Sequence, residues 1–433
     1  MDIHQVTQGE SIREIAQIYG VTQETIIEIN GLTQPENLVT GMQLVIPTDN
    51  PAPLNILGST HIVQPSETLW SISRMYSMPL SRLVKINNIS IPYVVNPSQK
   101  VKVLVSNGPA IETLGYIYPG ISADPAALVQ QIGPNLTYLG LFEFPITPTG
   151  NINGTVNEVV LTAAQKVNAA ALPVLTNLDE QGFNPDIAHE ALTNTASRQN
   201  LITNALALLN QHNLVGIIID FEKLYPTDRN LFTQFIQELS VALHNESKLL
   251  IVNIIAKWED APTAPWAGFF DYNALGPLVD RAAIMTYEWT YISGPPGPTA
   301  PIANVRKVLD YAVANNIPAN KILMGMTLYG YDWEVPDTPE NLATTVTLPA
   351  VWDLGRKYNS IITFDETAGQ PSMSYTNEQG QNHIIWFEDA KSHYLKYQLV
   401  IEYGLKGVFY WIINQPFPAT YYMVSHLFQV VKL

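Results

Sequence analysis

Leu214-Val215-Gly216-Ile217-Ile218-Ile219-Asp220-Phe221-Glu222 is the stretch whose reading decides the fold. A mostly apolar, β-branched run leads straight into Asp-aromatic-Glu. Such a run predicts a strand buried on both faces, as in a parallel sheet. Side chains alternate along a strand, so Ile218, Asp220 and Glu222 share one face, while Ile219 and Phe221 share the other. Two carboxylates therefore leave the sheet on one side at the strand's C-terminal end, where α/β barrels carry their active sites. A buried carboxylate costs free energy unless it is paired. The spacing alone suits a helix cap or an ion pair equally well.

Outward from this strand, apolar β-rich runs alternate with helical patterns from about residue 112 onward. Strands are predicted over 113–118, 136–142, 168–175, 215–222, 249–256, 282–287, 322–329 and 407–411. Ile202, Ala205, Leu206 and Leu209 form one helical stripe, and Val305, Val308, Leu309 and Ala312 another. This alternation predicts an α/β fold, a (β/α)8 barrel over 110–433. The long interval before the last strand predicts an inserted α+β lobe, about 333–400, between strands seven and eight.

An internal repeat precedes the barrel. His4-Gln-Val-Thr-Gln-Gly-Glu10-Ser-Ile-Arg-Glu-Ile15 reappears as His61-Ile-Val-Gln-Pro-Ser-Glu67-Thr-Leu-Trp-Ser-Ile72. Tyr19 maps to Tyr76, Asn30 to Asn87, Leu44 to Val101 and Ile46 to Val103, always without a gap. Ile12, Ile15, Ala16 and Tyr19 follow a helical stripe, and Gly20 suits the position just past a helix end. Each unit reads β-α-α-β, the first over 1–48 and the second over 59–105. The Pro/Gly/Asn-rich segments 48–53 and 106–109 read as linkers. Repeats and barrel are expected to have separate cores, so removing 1–106 is expected to leave the barrel folded.

Charge and composition bound the partners. The formal net charge is -16. Residues 1–110 hold six basic and eight acidic side chains against 16 and 30 in the remainder, so the barrel carries most of the acid. That balance argues against nucleic acid and anionic membranes as partners. Without cysteine, thiolate catalysis and disulfides are excluded. No apolar run reaches the ~18 residues of a membrane span. Residues 1–30 show no basic start and long apolar core, so synthesis without a signal peptide is expected. The histidines are scattered with no short-spaced ligand pair, and no metal or cofactor is expected. A monomer is expected.

Both repeats resemble LysM modules, which bind N-acetylglucosamine-containing glycans such as peptidoglycan and chitin. The resemblance rests on the Gly9-Glu10 or Ser66-Glu67 turn, the Tyr, the Asn and the closing apolar strand. From about 112 onward the chain resembles the chitinase-like barrels of glycoside hydrolase family 18. Gly216-Ile-Ile-Ile-Asp220-Phe-Glu222 matches the second half of that family's fourth-strand signature, Asp-x-x-Asp-x-Asp-x-Glu. The resemblance implies that Glu222 is the general acid and that Asp220 orients the substrate's acetamido group. Val215 and Ile218 occupy the two earlier Asp positions, which implies a shortened proton relay. Met285-Thr-Tyr287-Glu288 matches the sixth strand's Met-x-Tyr-Asp. It implies that Tyr287 donates to the acetamido carbonyl and that Met285 and Glu288 lie at the substrate, Glu288 reaching one methylene further than the usual Asp. Asn253 is expected to line the cleft, Tyr329, at the end of the seventh strand, to bind substrate, and Trp411 to form the floor under the sugar.

This family is an exception among glycosidases because the substrate's own acetamido group is the nucleophile. Asp220 is expected to raise the pKa of Glu222 by like-charge repulsion. The combination of two LysM-like modules, this barrel and no signal peptide resembles the spore-cortex N-acetylglucosaminidases of endospore-forming bacteria. It implies a location in the spore's outer layers and peptidoglycan as substrate. Chitin carries the same sugar, and no residue decides between the two. A glycan-binding protein without activity is the other class, and retention of Glu222 argues against it.

Overall fold

Each repeat closes on an antiparallel pair: β1 (Asp2–Gln5) with β2 (Gln43–Ile46), and β3 (Ile56–Ile62) with β4 (Lys100–Ser106). The computed structural model describes residues 1–48, 56–76, 80–90, 92–106, 108–336 and 342–433. Helices Ile12–Tyr19 and Gln23–Asn30 lie between the strands of module 1, and Leu69–Met75 and Leu80–Asn87 between those of module 2. Ser11 and Glu14 form a capping box at the first helix, and Gly20 ends it in the left-handed region. The same side chains hold both modules. His4 lies 3.0 Å from Glu10 and 3.2 Å from the Tyr19 hydroxyl; His61 lies 2.7 Å from Glu67 and 3.1 Å from that of Tyr76. The Asn30 amide accepts from the Val45 N–H and donates to its carbonyl, and Asn87 does the same at Lys102.

The barrel begins with β5 (Ala110–Ile117), β6 (Tyr138–Pro145) and β7 (Ala170–Thr176). A small hairpin, β8 (Leu178–Asp179) with β9 (Gly182–Phe183), follows β7 directly. β10 (Gly216–Asp220), β11 (Leu249–Ile255), β12 (Arg281–Met285) and β13 (Ile322–Thr327) continue the sheet. Next comes a lobe, whose strands among the described residues are β14 (Tyr329–Val335), β15 (Thr344–Thr347), β16 (Ile362–Asp365), β17 (Gln370–Thr376) and β18 (Asn382–Trp386). β19 (Gly407–Trp411) pairs with both β13 and β5 and closes the barrel, and β20 (Gln429–Val430) adds to the edge of β5. The barrel strands are parallel, so the (β/α)8 expectation holds.

The alternation along β10 is as the sequence predicts. Ile218 joins Leu114, Tyr116, Tyr138, Leu172, Val174, Ile251, Ala283, Leu323 and Phe409 in the barrel interior. Ile217, Ile219 and Phe221 face the surrounding helices, and Phe221 stacks on Phe235 at 5.9 Å. The lobe differs from expectation. It starts at Tyr329, one residue after β13 ends and Leu328 turns the chain, and its last strand ends at Trp386. Helix Ala390–Tyr403, expected inside the lobe, packs on the barrel with Leu399 and Val400 buried.

The expectation of separate cores fails for module 1. Met1, Val6, Ile12, Ile15, Ile26, Leu44 and Ile46 belong to the same buried cluster as the barrel's outer layer. Polar contacts reinforce this join. The Met1 amine lies 3.4 Å from His426 Nε2, and the Ile362 N–H donates to the Thr40 carbonyl at 3.0 Å. Gln34 donates to Asp353 at 3.2 Å and Arg356 to the Asn37 carbonyl at 3.3 Å. Apolar surface left open at such a face is costly, roughly 1.5–3 kcal/mol per large aliphatic side chain, and burial against the barrel removes that cost. Module 2 keeps a core of its own: Val63, Leu69, Ile72, Leu83, Val101 and Val103.

Candidate active site

The residues singled out in the sequence lie at the C-terminal ends of the barrel strands. Asp220 is the last residue of β10, and Glu222 lies two residues beyond it. Asn253 sits on β11, Met285 ends β12, and Tyr287 and Glu288 follow in the loop after it. Trp411 ends β19. Its ring meets Phe142 edge-on at 5.0 Å and Tyr116 at 5.5 Å. Tyr287 lies 6.0 Å from Phe409, over the barrel interior. It also needs Gly325 beneath it: a Cβ there would sit 2.6 Å from Tyr287 Cε1.

Three of these positions have partners that the sequence does not show. Asn253 is buried, and the Tyr116 hydroxyl donates to its Oδ1. Glu288 turns back with φ at +60°, and its Oε1 accepts from the hydroxyls of Tyr329 at 2.6 Å and Tyr331 at 2.7 Å. The extra methylene thus serves a tyrosine clamp, and Tyr329 acts through Glu288. Met285 packs its side chain on the barrel's inner cluster. Tyr329, Tyr331 and Trp333 alternate along β14 on one face, in edge contacts of 5.4 and 5.6 Å, and that cluster packs against Trp411.

The carboxylates perturb one another. Burial raises the Asp220 carboxyl to about 6; Asn253, a hydrogen-bond partner, opposes the rise, and the charge of Glu143 adds to it. Glu222 is pushed well above the ordinary carboxyl range, first by burial, then by the charges of Asp220 and Glu288, with Lys223 opposing. Burial therefore outweighs the like-charge repulsion expected from the sequence. Burial also raises Tyr287, followed by Tyr116, Glu288, Asp220 and Glu222. One hydroxyl and two carboxyl groups thus share a confined site in which burial favours the protonated form of Glu222. Asp220 Oδ1 is buried and has no hydrogen-bond partner among the described residues, the mark of an acceptor awaiting a donor.

Sequence reasoning missed Tyr116, Glu143, Tyr331 and Asn177. Tyr116 was legible as an inward residue near the end of the first strand. Tyr331 shares a strand face with Tyr329. Glu143 lies beyond the expected end of its strand at 142, in the irregular stretch where β6 shifts register after Leu141, so no pattern marks it. Ile218 fills the barrel interior where the family signature has an Asp, so no carboxylate backs Asp220 from that position.

An acid at the end of the fourth barrel strand, a second carboxylate on the same face and a tyrosine across the cleft define a glycoside hydrolase. The model for Glycosyl hydrolases family 18 matches residues 182–415, and that for the LysM domain matches 4–47 and 61–103. The chain belongs to glycoside hydrolase family 18, with LysM modules at its N-terminal side. It is 30% identical to the "Putative sporulation-specific glycosylase YdhD" of Bacillus subtilis over all of both chains. It is 32% identical to the "Cortical fragment-lytic enzyme" of Bacillus anthracis over 99% of this chain and 98% of that one. The crystal structure of the Bacillus cereus spore cortex-lytic enzyme SleL superposes with a TM-score of 0.83 at 31% identity, covering 100% of this chain and 98% of that one.

Proposed function

We propose that this chain hydrolyses β-1,4 bonds after N-acetylglucosamine in spore-cortex peptidoglycan, with retention of configuration. The observation that carries the reading is the placement of Glu222, Asp220 and Tyr287 together at the C-terminal ends of the barrel strands, with burial raising the Glu222 carboxyl. The names and full-length coverage of the relatives support the cortex as substrate and the spore's outer layers as location. The LysM modules support attachment to the same polymer.

In this mechanism the acetamido oxygen forms a bond to the anomeric carbon as the glycosidic C–O bond breaks. The departing oxygen takes its electron pair and the proton of Glu222. Asp220 Oδ1 accepts the acetamido N–H, and the Tyr287 hydroxyl donates to the acetamido oxygen, which holds the nucleophile in line. Water then attacks the anomeric carbon as the bond from that carbon to the acetamido oxygen breaks and its electron pair returns to the acetamido group, and the water gives a proton to the Glu222 carboxylate, restoring the acid. Trp411 supplies an apolar face for the sugar ring. Two inversions at one carbon leave the configuration retained.

Glu222→Gln keeps the shape but cannot donate the proton. Turnover of soluble cortex fragments should fall by about 10²–10⁴-fold, with the fold kept by circular dichroism. Mass analysis of digests of cortex and of chitin identifies the preferred polymer, and proton NMR of the first-formed reducing sugar reports the anomer. Near-normal turnover in Glu222→Gln, or an inverted anomer, would refute the mechanism.

A further inference from the structure

The proposed acid lies where the sheet no longer holds the chain. The ladder between β7 and β10 ends at the pair Thr176 and Asp220. Glu222 comes two residues later, and Lys223 then turns into the left-handed region with φ at +58°. A side chain extended from an unsupported backbone samples several positions, which is poor geometry for proton transfer.

Asn177 occupies the gap. It directly follows β7 and is fully buried. Its Oδ1 accepts the Glu222 N–H at 2.9 Å, and its Nδ2 donates to the Glu222 carbonyl at 2.9 Å. The side-chain amide thus stands in for the next peptide of the strand. The amide is itself held. Nδ2 also donates to the Asn184 carbonyl at 2.9 Å, and the Asn184 N–H donates back to the Asn177 carbonyl at 2.9 Å. Asn184 closes the β8–β9 hairpin and accepts from the Asp186 N–H at the start of helix Pro185–Thr193. Asn30 and Asn87 use the same device on the β2 and β4 strands.

We propose that Asn177 is the positioning residue of the general acid: its amide forms a side-chain rung that fixes the backbone of Glu222 and couples it to the hairpin. The inference rests on Glu222 being the acid. Nothing in the geometry brings Asn177 to the substrate, so its loss reaches the reaction through Glu222 and leaves substrate binding alone.

The test measures kcat and KM on soluble cortex fragments for Asn177→Ala and Asn177→Asp, with Leu209→Ala as a buried truncation away from the cleft. Asn177→Ala should lose tenfold or more in kcat, on the order of what a small misplacement of a catalytic group costs, with KM within twofold. Asn177→Asp keeps the acceptor for the Glu222 N–H but sets a carboxylate oxygen against two carbonyls in place of both donated bonds, and should also lose tenfold or more in kcat. Leu209→Ala, once its folded fraction is counted, should keep wild-type kcat. If Asn177→Ala does not fold, Asn177→Asp carries the test alone, and wild-type kcat in it overturns the inference. A rise in KM with kcat unchanged also overturns it. Glu222→Gln separates the two levels: near-normal turnover there means that the acid assignment has failed, whereas an inactive Glu222→Gln beside a normal Asn177→Ala means that only this inference has.

Discussion

The two LysM modules have one local design and two different relations to the enzyme. Their His-Glu-Tyr clusters and Asn rungs superpose residue for residue at an offset of 57. Six core positions also correspond: Val6 and Val63, Ile12 and Leu69, Ile15 and Ile72, Ile26 and Leu83, Leu44 and Val101, Ile46 and Val103. Module 1 then adds Val39, Met42 and Val45 to the core it shares with the barrel. The same positions in module 2 are Asn96, Gln99 and Lys102. The difference teaches that a repeat's internal pattern fixes its fold, while its attachment is decided by the few positions the pattern leaves free.

The largest effect follows from the shared core. A chain of residues 56–433, lacking module 1, should expose the apolar face that Val39, Met42 and Val45 help to cover. We expect it to be insoluble or to melt more than ten degrees lower, since a loss of several kcal/mol shifts a domain of this size by about 2–4 °C for each. Leu83→Asp, which disrupts module 2's separate core, should leave both the main thermal transition and turnover of soluble fragments near wild type. Equal melting of 56–433 and the full chain would show that the joined core contributes nothing.

That outcome marks what the sequence could and could not say. The barrel was legible because each strand is a short apolar run with turn signals, and β10 announced its own carboxylates. The repeat was legible because it has no gaps. The joined core was present in the sequence as Val39 against Asn96 and Val45 against Lys102, but only as a contrast between copies, which reading each copy for its likeness to the other passes over. Glu143 and the burial of Asn253 depend on register shifts and neighbours distant in sequence, which no local period encodes. The Glu222 shift divides in the same way: spacing shows the Asp220 charge, which does raise it, while burial, the larger cause, comes only from the folded chain.

A sharper probe is Gly41. A Cβ there would collide with the Ile362 carbonyl oxygen of the lobe, and the residue's φ is +90°. Gly41→Ala therefore meets backbone, which cannot move aside cheaply. We expect roughly 2–4 kcal/mol of destabilisation, combining the 1–3 kcal/mol of overpacking with the left-handed penalty. Urea unfolding followed by tryptophan fluorescence measures it. A loss below about 1 kcal/mol would mean that the module shifts freely on the barrel. The corresponding residue in module 2 is Ser98, at φ +71°, so that module takes the same turn with a side chain present.

The smallest effect isolates the turn from the contact. Gly9 has φ at +78°, and a Cβ built on it meets nothing within 4 Å. Its partner Ser66 adopts φ of +72° with a side chain in place. At this pair the two copies share one backbone turn and differ in the side chain alone. A side chain in the left-handed region costs about 1–2 kcal/mol, and glycine gives back roughly 0.5–1 kcal/mol through the freedom of the unfolded chain. Ser66→Gly should therefore stabilise module 2 by about 0.5–1 kcal/mol, and Gly9→Ser should destabilise the joined unit by a similar amount. Hydrogen exchange of the Val63 and Val101 amides reads the first, and the main unfolding transition reads the second. If Gly9→Ser costs as much as Gly41→Ala, then the turn, and not the approach to Ile362, is what glycine serves in module 1, and the contrast between the two modules reduces to backbone strain.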